Sequence, residues 1–226
     1  MELSEIDEAL NRAEEAVEAG DGVTGTGFWK AVAAVKADDG LATTYADRIG
    51  SIDQEAFRNW AILVVPLTLG TTFAVAGLIF GFALIGLSYS WDGLAAAAVF
   101  LVGFGVVLTA SHGLGHLVVG RLVGIRFTAW FVDTLGRPQP GVKVDYSSYL
   151  RTAAQNRARM HAAGAIVTKI VPFALLGAAV AADLSLWAVL TLALVGVVMV
   201  ITDISWSTKS SDWKKFRREM EFSQSP

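Results

Sequence analysis

The residues in this chain whose types and spacing could do chemistry are two histidines, His112 and His116, in the run S-H-G-L-G-H-L-V-V-G-R-L-V-G from Ser111 to Gly124. On a helix, four-residue spacing puts both imidazoles on one face, one turn apart, where they can share a metal ion. The alternative is a pair of membrane-buried histidines that hydrogen-bond to neighbouring helices. The chain has three histidines and no cysteine, so disulfides and thiolate ligands are excluded. A third ligand must therefore be His161 or a carboxylate.

The elements that hold this pair are apolar. With 54% hydrophobic and 17% charged residues and a mean hydropathy of +0.50, the 226-residue chain is composed as an integral membrane protein rather than a soluble one. Four stretches, Trp60 to about Leu87, Gly93 to Gly120, Ala162 to Ala182 and Leu184 to about Ile204, are each long enough to cover a hydrocarbon core of about 30 Å as a helix. The turns at 88–92 and around Asp183 carry no Lys or Arg. By contrast, 17 of the 18 basic residues lie in the N-terminal region through Arg58, in the 121–159 connection, or from Lys209 onward. The positive-inside rule puts both termini and the long connection in the cytoplasm. A multi-pass protein in the lipid bilayer is expected. The net charge of −3 hides an asymmetry, with 13 of the 21 acidic residues before Arg58, and it implies no nucleic-acid partner.

Three regions follow from this. Residues 1–57 form an acidic, helical cytoplasmic region, residues 58–206 a transmembrane domain of four helices, and residues 207–226 a basic cytoplasmic tail. In the first region, Ser4 with Asp7 reads as a capping box. Leu3, Ile6, Leu10, Ala13 and Val17 give an amphipathic helix up to about Gly20, and a second is expected over Phe28 to Lys36. This arm is either a small cap packed on its own membrane domain or a partner-binding element. Ser51 with Gln54 can cap the entry to the first span, and no signal peptide is expected. Between the second and third spans, Ile125 to Val132, rich in β-branched and aromatic residues, and the alternating Gly141 to Tyr146 flank G-R-P-Q-P and predict a membrane-associated β-hairpin over about 125–146. That hairpin could receive an extended peptide as an added strand, or serve as an interfacial ribbon anchored by Trp130, Phe131 and Tyr146. Ser147 or Ser148 can start a basic helix that runs through Arg151, Arg157 and Arg159 into the third span. The fold class is thus all-α membrane protein, with a hairpin and an N-terminal helical arm.

Depth within the spans groups the polar residues. At 1.5 Å per residue, His112 lies roughly 13 Å and His116 roughly 7 Å inside the Arg121 boundary. His161 stands at the mouth of the third span, and Asp203 lies roughly 9 Å before Lys209 in the fourth. All three histidines and the one acid inside an apolar stretch share a layer. Zinc is the expected metal, bound by His112, His116 and Asp203, with His161 as a fourth ligand or the position left to water. The other basic residue, Lys169, lies within the third span, where it must snorkel or meet a carboxylate. Asp203 is the candidate for that pairing too.

The run A-S-H-G-L-G-H-L-V-V-G resembles the zinc-binding helix of the site-2 protease family of intramembrane metalloproteases, whose pattern is H-E-x-x-H followed by a small residue and a glycine. The resemblance covers roughly residues 93–206. It implies membrane-associated strands after the zinc helix, a helix with an A-G-P-x-x-N type motif, and a helix that supplies an aspartate ligand. Here H-A-A-G-A-I-V-T at 161–168 and T-D-I at 202–204 stand at those places. The chain departs from the pattern in its chemistry. Gly113 replaces the glutamate that acts as general base, Ala165 and Thr168 replace the Pro and Asn of the second motif, and no glycine follows Asp203.

The expected function is a divergent membrane metalloprotein with its metal near the cytoplasmic face, acting on or binding a membrane-embedded peptide substrate or partner. Without the glutamate, peptide hydrolysis loses a proton-transfer contribution of about 10² to 10⁴-fold, unless His161 serves as the proton shuttle. The alternatives are a catalytically inactive pseudoprotease or scaffold, and an unrelated small membrane protein such as a transporter subunit whose polar residues line a path.

Overall fold

A computed structural model describes residues 1–132, 140–205 and 211–223. Along the chain run helices α1 (Leu3–Glu18), α2 (Phe28–Lys36) and α3 (Asp39–Trp60), strand β1 (Leu63–Pro66), and helices α4 (Leu67–Ser88) and α5 (Gly93–Leu122). Strands β2 (Phe127–Val132) and β3 (Gly141–Val144) follow, then helices α6 (Tyr146–Arg151), α7 (Ala154–Ala181), α8 (Leu186–Ser205) and α9 (Asp212–Phe222). The chain divides into two compact units. The first comprises Met1–Leu67, Gly120–Ala158 and Arg218–Pro226, and the second Thr68–Val119 and Arg159–Arg217.

The first unit is built on α1, α2 and α3. Their apolar faces put Ile6, Leu10, Phe28, Val35 and Ile49 into one core, which Leu150 joins. The amphipathic period expected for α1 is present, but its cap is not. The N-cap is Glu2, whose backbone N–H donates to the Glu5 carboxylate at 3.0 Å, a reciprocal cap two residues before Ser4. Ser51 and Gln54 cap nothing, because α3 begins at Asp38, which accepts from the Leu41 N–H, and runs through them to Trp60. Gly50 is where α3 meets the start of α6, since a Cβ there would lie 2.1 Å from Ser147 Oγ. A buried ion pair joins Lys143 of β3 to Asp53 of α3. Burial pushes the Asp53 carboxyl up, against the pull of Lys143.

The expected hairpin is part of a three-stranded antiparallel sheet in the order β1-β2-β3, so β2 is central. Its turn at 136–140 lies almost wholly outside the described residues. The added strand corrects the start of the first span from Trp60 to Leu67: Leu63, Val64, Val65 and Pro66 pair with Val132, Phe131, Trp130 and Ala129. Pro66 offers no backbone N–H and biases Val65 toward an extended conformation, which suits the last positions of an edge strand and not a helix interior. The basic helix expected from Ser147 into the third span is also broken, with α6 ending at Arg151 and α7 starting at Ala154.

The second unit contains the apolar helices. α4, α5 and α7, with α8 over Leu186–Asp203, are long and apolar enough to cross a membrane. Such helices gain little by hiding apolar surface from lipid, so they associate where small residues let backbones approach. Gly81 of α4 and Gly103 of α5 do this: a Cβ on Gly103 would lie 2.7 Å from the Gly81 carbonyl oxygen. Beside that crossing, Phe100, Phe104, Val107, Leu175, Ala179 and Leu192 fill the interior.

Candidate metal centre

α5 places His112 and His116 as the sequence predicts, on one face with ring centroids 4.8 Å apart. α7 packs against that face through a glycine. A Cβ on Gly164 would stand 2.2 Å from His116 Nε2, so only glycine leaves room for the ring, and a Cβ on Gly115 of α5 would lie 3.3 Å from the Ala163 carbonyl oxygen of α7. The Gly in H-A-A-G-A is thereby tied to the histidine it faces.

The third group is Asp212, the first residue of α9. Its Oδ2 lies 3.1 Å from His116 Nε2 and 3.4 Å from His112 Nε2. The candidate ligand atoms of His112, His116 and Asp212 all lie within 4.8 Å of one another. Tetrahedral zinc with bonds of about 2.0 to 2.1 Å needs ligand atoms roughly 3.3 Å apart, so both distances to the carboxylate are those of a tetrahedral edge, while the edge between the two histidines, up to 4.8 Å, has to shorten for one ion to bind both. Asp212 sits in the first turn of its helix, where the unpaired N–H groups favour an anion. Burial would raise its carboxyl, but His116, where its Nε2 carries a proton, and Lys215, with Nζ 3.2 Å from Oδ1, hold it far below the ordinary carboxylate range.

The orientation of His116 is fixed from behind. Its Nδ1 lies 2.8 Å from the Met160 carbonyl oxygen, which can only accept, so Nδ1 carries the proton and donates it. In the neutral ring this leaves Nε2 as a bare lone pair pointing at a carboxylate 3.1 Å away. That contact is repulsive unless a proton or a metal cation stands between the two atoms. A second-shell carbonyl of this kind is what orients metal-binding imidazoles. His112 is held less closely: its Nδ1 is buried without a well-formed hydrogen bond among the described residues, although its ring lies against the Gly164 backbone.

The other residues singled out by sequence lie elsewhere in the unit. Asp203 forms an ion pair with Lys169, the pairing that was the alternative to ligation, and Lys169 also donates to the Ala165 carbonyl at 3.0 Å. Asp212 therefore takes the place by the histidines that was expected for Asp203. Thr168 is buried and turns its hydroxyl back on its own helix, donating to the Gly164 and Ala165 carbonyls. His161 lies half-buried on α7 and does not belong to the three-residue group. Gly113 is buried beside His112 and presents no side chain to the cluster.

Asp212 escaped the sequence reading because it follows the last apolar stretch, in a tail taken as basic and solvated. A signal was present: Ser211 caps the helix, with Lys214 N–H donating to its Oγ at 3.3 Å, and Trp213, Phe216 and Met220 recur at helical spacing. No protein-family model, curated protein or solved structure matches the chain.

Proposed function

We propose that the chain is an integral membrane metalloprotein in which His112, His116 and Asp212 hold one zinc ion and leave a fourth position open, with both termini and the metal toward the cytoplasm. The observation that supports the reading is the placement of His116, with Nδ1 2.8 Å from the Met160 carbonyl and Nε2 3.1 Å from the Asp212 carboxylate, an arrangement that calls for a cation between ring and carboxylate. When bound there, zinc would supply a Lewis acid that polarises a carbonyl and lowers the pKa of a water. The protein's own part is positional. Met160 sets the His116 ring, Gly164 makes its space, and Lys215 steadies Asp212 from the far oxygen.

The same reading carries the site-2 protease resemblance only as far as the metal. Gly113 leaves the adjacent position without a base, which favours a centre that holds and polarises a membrane-embedded substrate over a fast peptidase. The test is metal content in detergent-purified protein. Near one zinc per chain is expected, with background levels in His116→Ala and Asp212→Asn, since two ligands do not make a stable site. Asp203→Asn should keep its metal. Zinc unchanged in His116→Ala, or absent from the parent, overturns the assignment and leaves a proton between His116 and Asp212.

A further inference from the structure

α9 is one helix of 11 residues, Asp212–Phe222, and it belongs to both compact units: its residues through Arg217 fall in the second and those from Arg218 onward in the first. Each half makes its contacts within its own unit. Asp212 meets His112 and His116. Glu219, the buried residue of α9, accepts from Lys36 Nζ at 2.5 Å, Arg157 Nε at 2.6 Å and Tyr149 OH at 2.9 Å. Phe222 adds a ring whose centre is 5.9 Å from the same Lys36 ammonium. What joins the two halves is the helix itself.

That helix cannot hold itself. It is shorter than the ~12 to 15 residues at which isolated helices begin to be stable in water, and its last turn carries Glu219 and Glu221 with no basic residue, against the helix dipole. Trp213, Phe216 and Met220 are only half-buried. Its firmest fixed point is therefore the Glu219 seat, where three donors, two of them cationic, converge on one carboxylate. Glu219 follows Asp212 by seven positions, roughly 10 Å of helix rise. A slip of one residue between them would move Asp212 by about 1.5 Å along the axis and about 100° around it, away from the histidines. We propose, resting on the zinc reading of the centre, that Glu219 is a positioning residue for the metal site: its seat among Lys36, Arg157 and Tyr149 sets the register of α9 and so delivers Asp212 as a ligand. By reciprocity, metal bound at Asp212 tightens the seat of Glu219.

The test is the zinc affinity of full-length protein in detergent, measured by competition with a fluorescent chelator at a temperature where circular dichroism shows each variant folded. Glu219→Ala should bind zinc about 10- to 100-fold more weakly, the usual loss when the support of a ligand is removed. Leu10→Ala, which opens the core of the first unit from α1, should bind like the parent. One alanine inserted between Arg217 and Arg218 keeps Glu219 but puts Asp212 out of register, and should weaken zinc as far as Glu219→Ala does. Arg217→Ala, at an exposed position, should change nothing. Cobalt(II) in place of zinc reads the ligand set itself: the strong visible bands of a tetrahedral site should fade in Glu219→Ala and persist in Leu10→Ala. Zinc added to the parent should slow hydrogen exchange at the amides of 218–222, and should not do so in His116→Ala. A parent that carries no zinc overturns the metal reading and this proposal with it. A parent that holds near one zinc per chain, with an affinity that survives either Glu219→Ala or the insertion, overturns the proposal alone, as does an equal loss in Leu10→Ala.

Discussion

At the scale of single residues, the centre depends on one glycine as much as on its three polar groups. A methyl on Gly164 would meet His116 Nε2 at 2.2 Å, and the ring cannot yield without leaving the Met160 carbonyl or Asp212. Gly164→Ala should therefore weaken metal binding by about 10- to 100-fold, the usual loss when an oriented ligand is disturbed, although Ala is the better helix former. Competition with a fluorescent zinc chelator would read this, and unchanged affinity would mean the ring is not held as described. Sequence showed the histidine pair because both residues lie on one helix, where spacing alone fixes their relation. It pointed to Asp203 and passed over Asp212. Depth along a span is readable from an apolar pattern, whereas the path of a polar tail after the span is not. Asp203 went to Lys169, the nearer demand for a counter-charge inside an apolar stretch.

At the scale of elements, α9 and the break before α7 were the least legible parts. No Gly or Pro marks the break at 152–153. It is held by Arg157, whose Nη1 donates to the Leu150 and Thr152 carbonyls at 3.3 and 2.7 Å and so satisfies the end of α6. The Arg157 Nε donates at 2.6 Å to Glu219 of α9, which is wholly buried and also accepts from Lys36 Nζ at 2.5 Å and Tyr149 OH at 2.9 Å. Such a cluster depends on all its members, because removing one strands buried charge, at about 3 to 5 kcal/mol. Glu219→Ala should lower stability by that amount, measured by denaturant unfolding of the first unit's helices. The pH dependence follows from two shifts. Burial raises the Glu219 carboxyl, but Lys36 and Arg157 outweigh it and hold the group below its ordinary 4.5. Its contribution is present above that value and lost as pH falls through it, so the gap in Tm between the parent and Glu219→Gln should narrow in acid. Burial lowers Lys36 from 10.5 to about 8, so between those values the unfolded chain binds more protons than the folded one. Stability from this group rises with pH across that window. A gap in Tm that did not change with pH would contradict both assignments.

At the scale of the whole molecule, the four apolar helices were legible almost completely, since length and hydropathy decide them and nothing else in the chain competes. The first boundary shifted by seven residues, from Trp60 to Leu67, because a strand rich in Val and a membrane helix present the same apolar run. Pairing with β2 decided between them. The distribution of Lys and Arg predicts that a reporter fused after Pro226 is active in the cytoplasm. A fusion active only outside the cell would invert the topology and put the candidate metal centre on the other face.

The Glu219 cluster also bears on how the protein is made. Glu219 follows Lys36 by 183 positions, and all four candidate spans lie between them. At about 5 to 20 residues per second, a ribosome needs roughly 10 to 40 seconds to travel from one to the other. Through that interval the first unit has α1, α2 and α3 in hand, yet holds Lys36, and later Arg157, with no acid to neutralise them. A chain stalled or cut in its last span would keep these cations in an unfinished interior. The first unit is thus sealed by a helix that emerges only after all four candidate spans, so its interior closes late, and products truncated before Glu219 should be recognisable to proteases by that open interior.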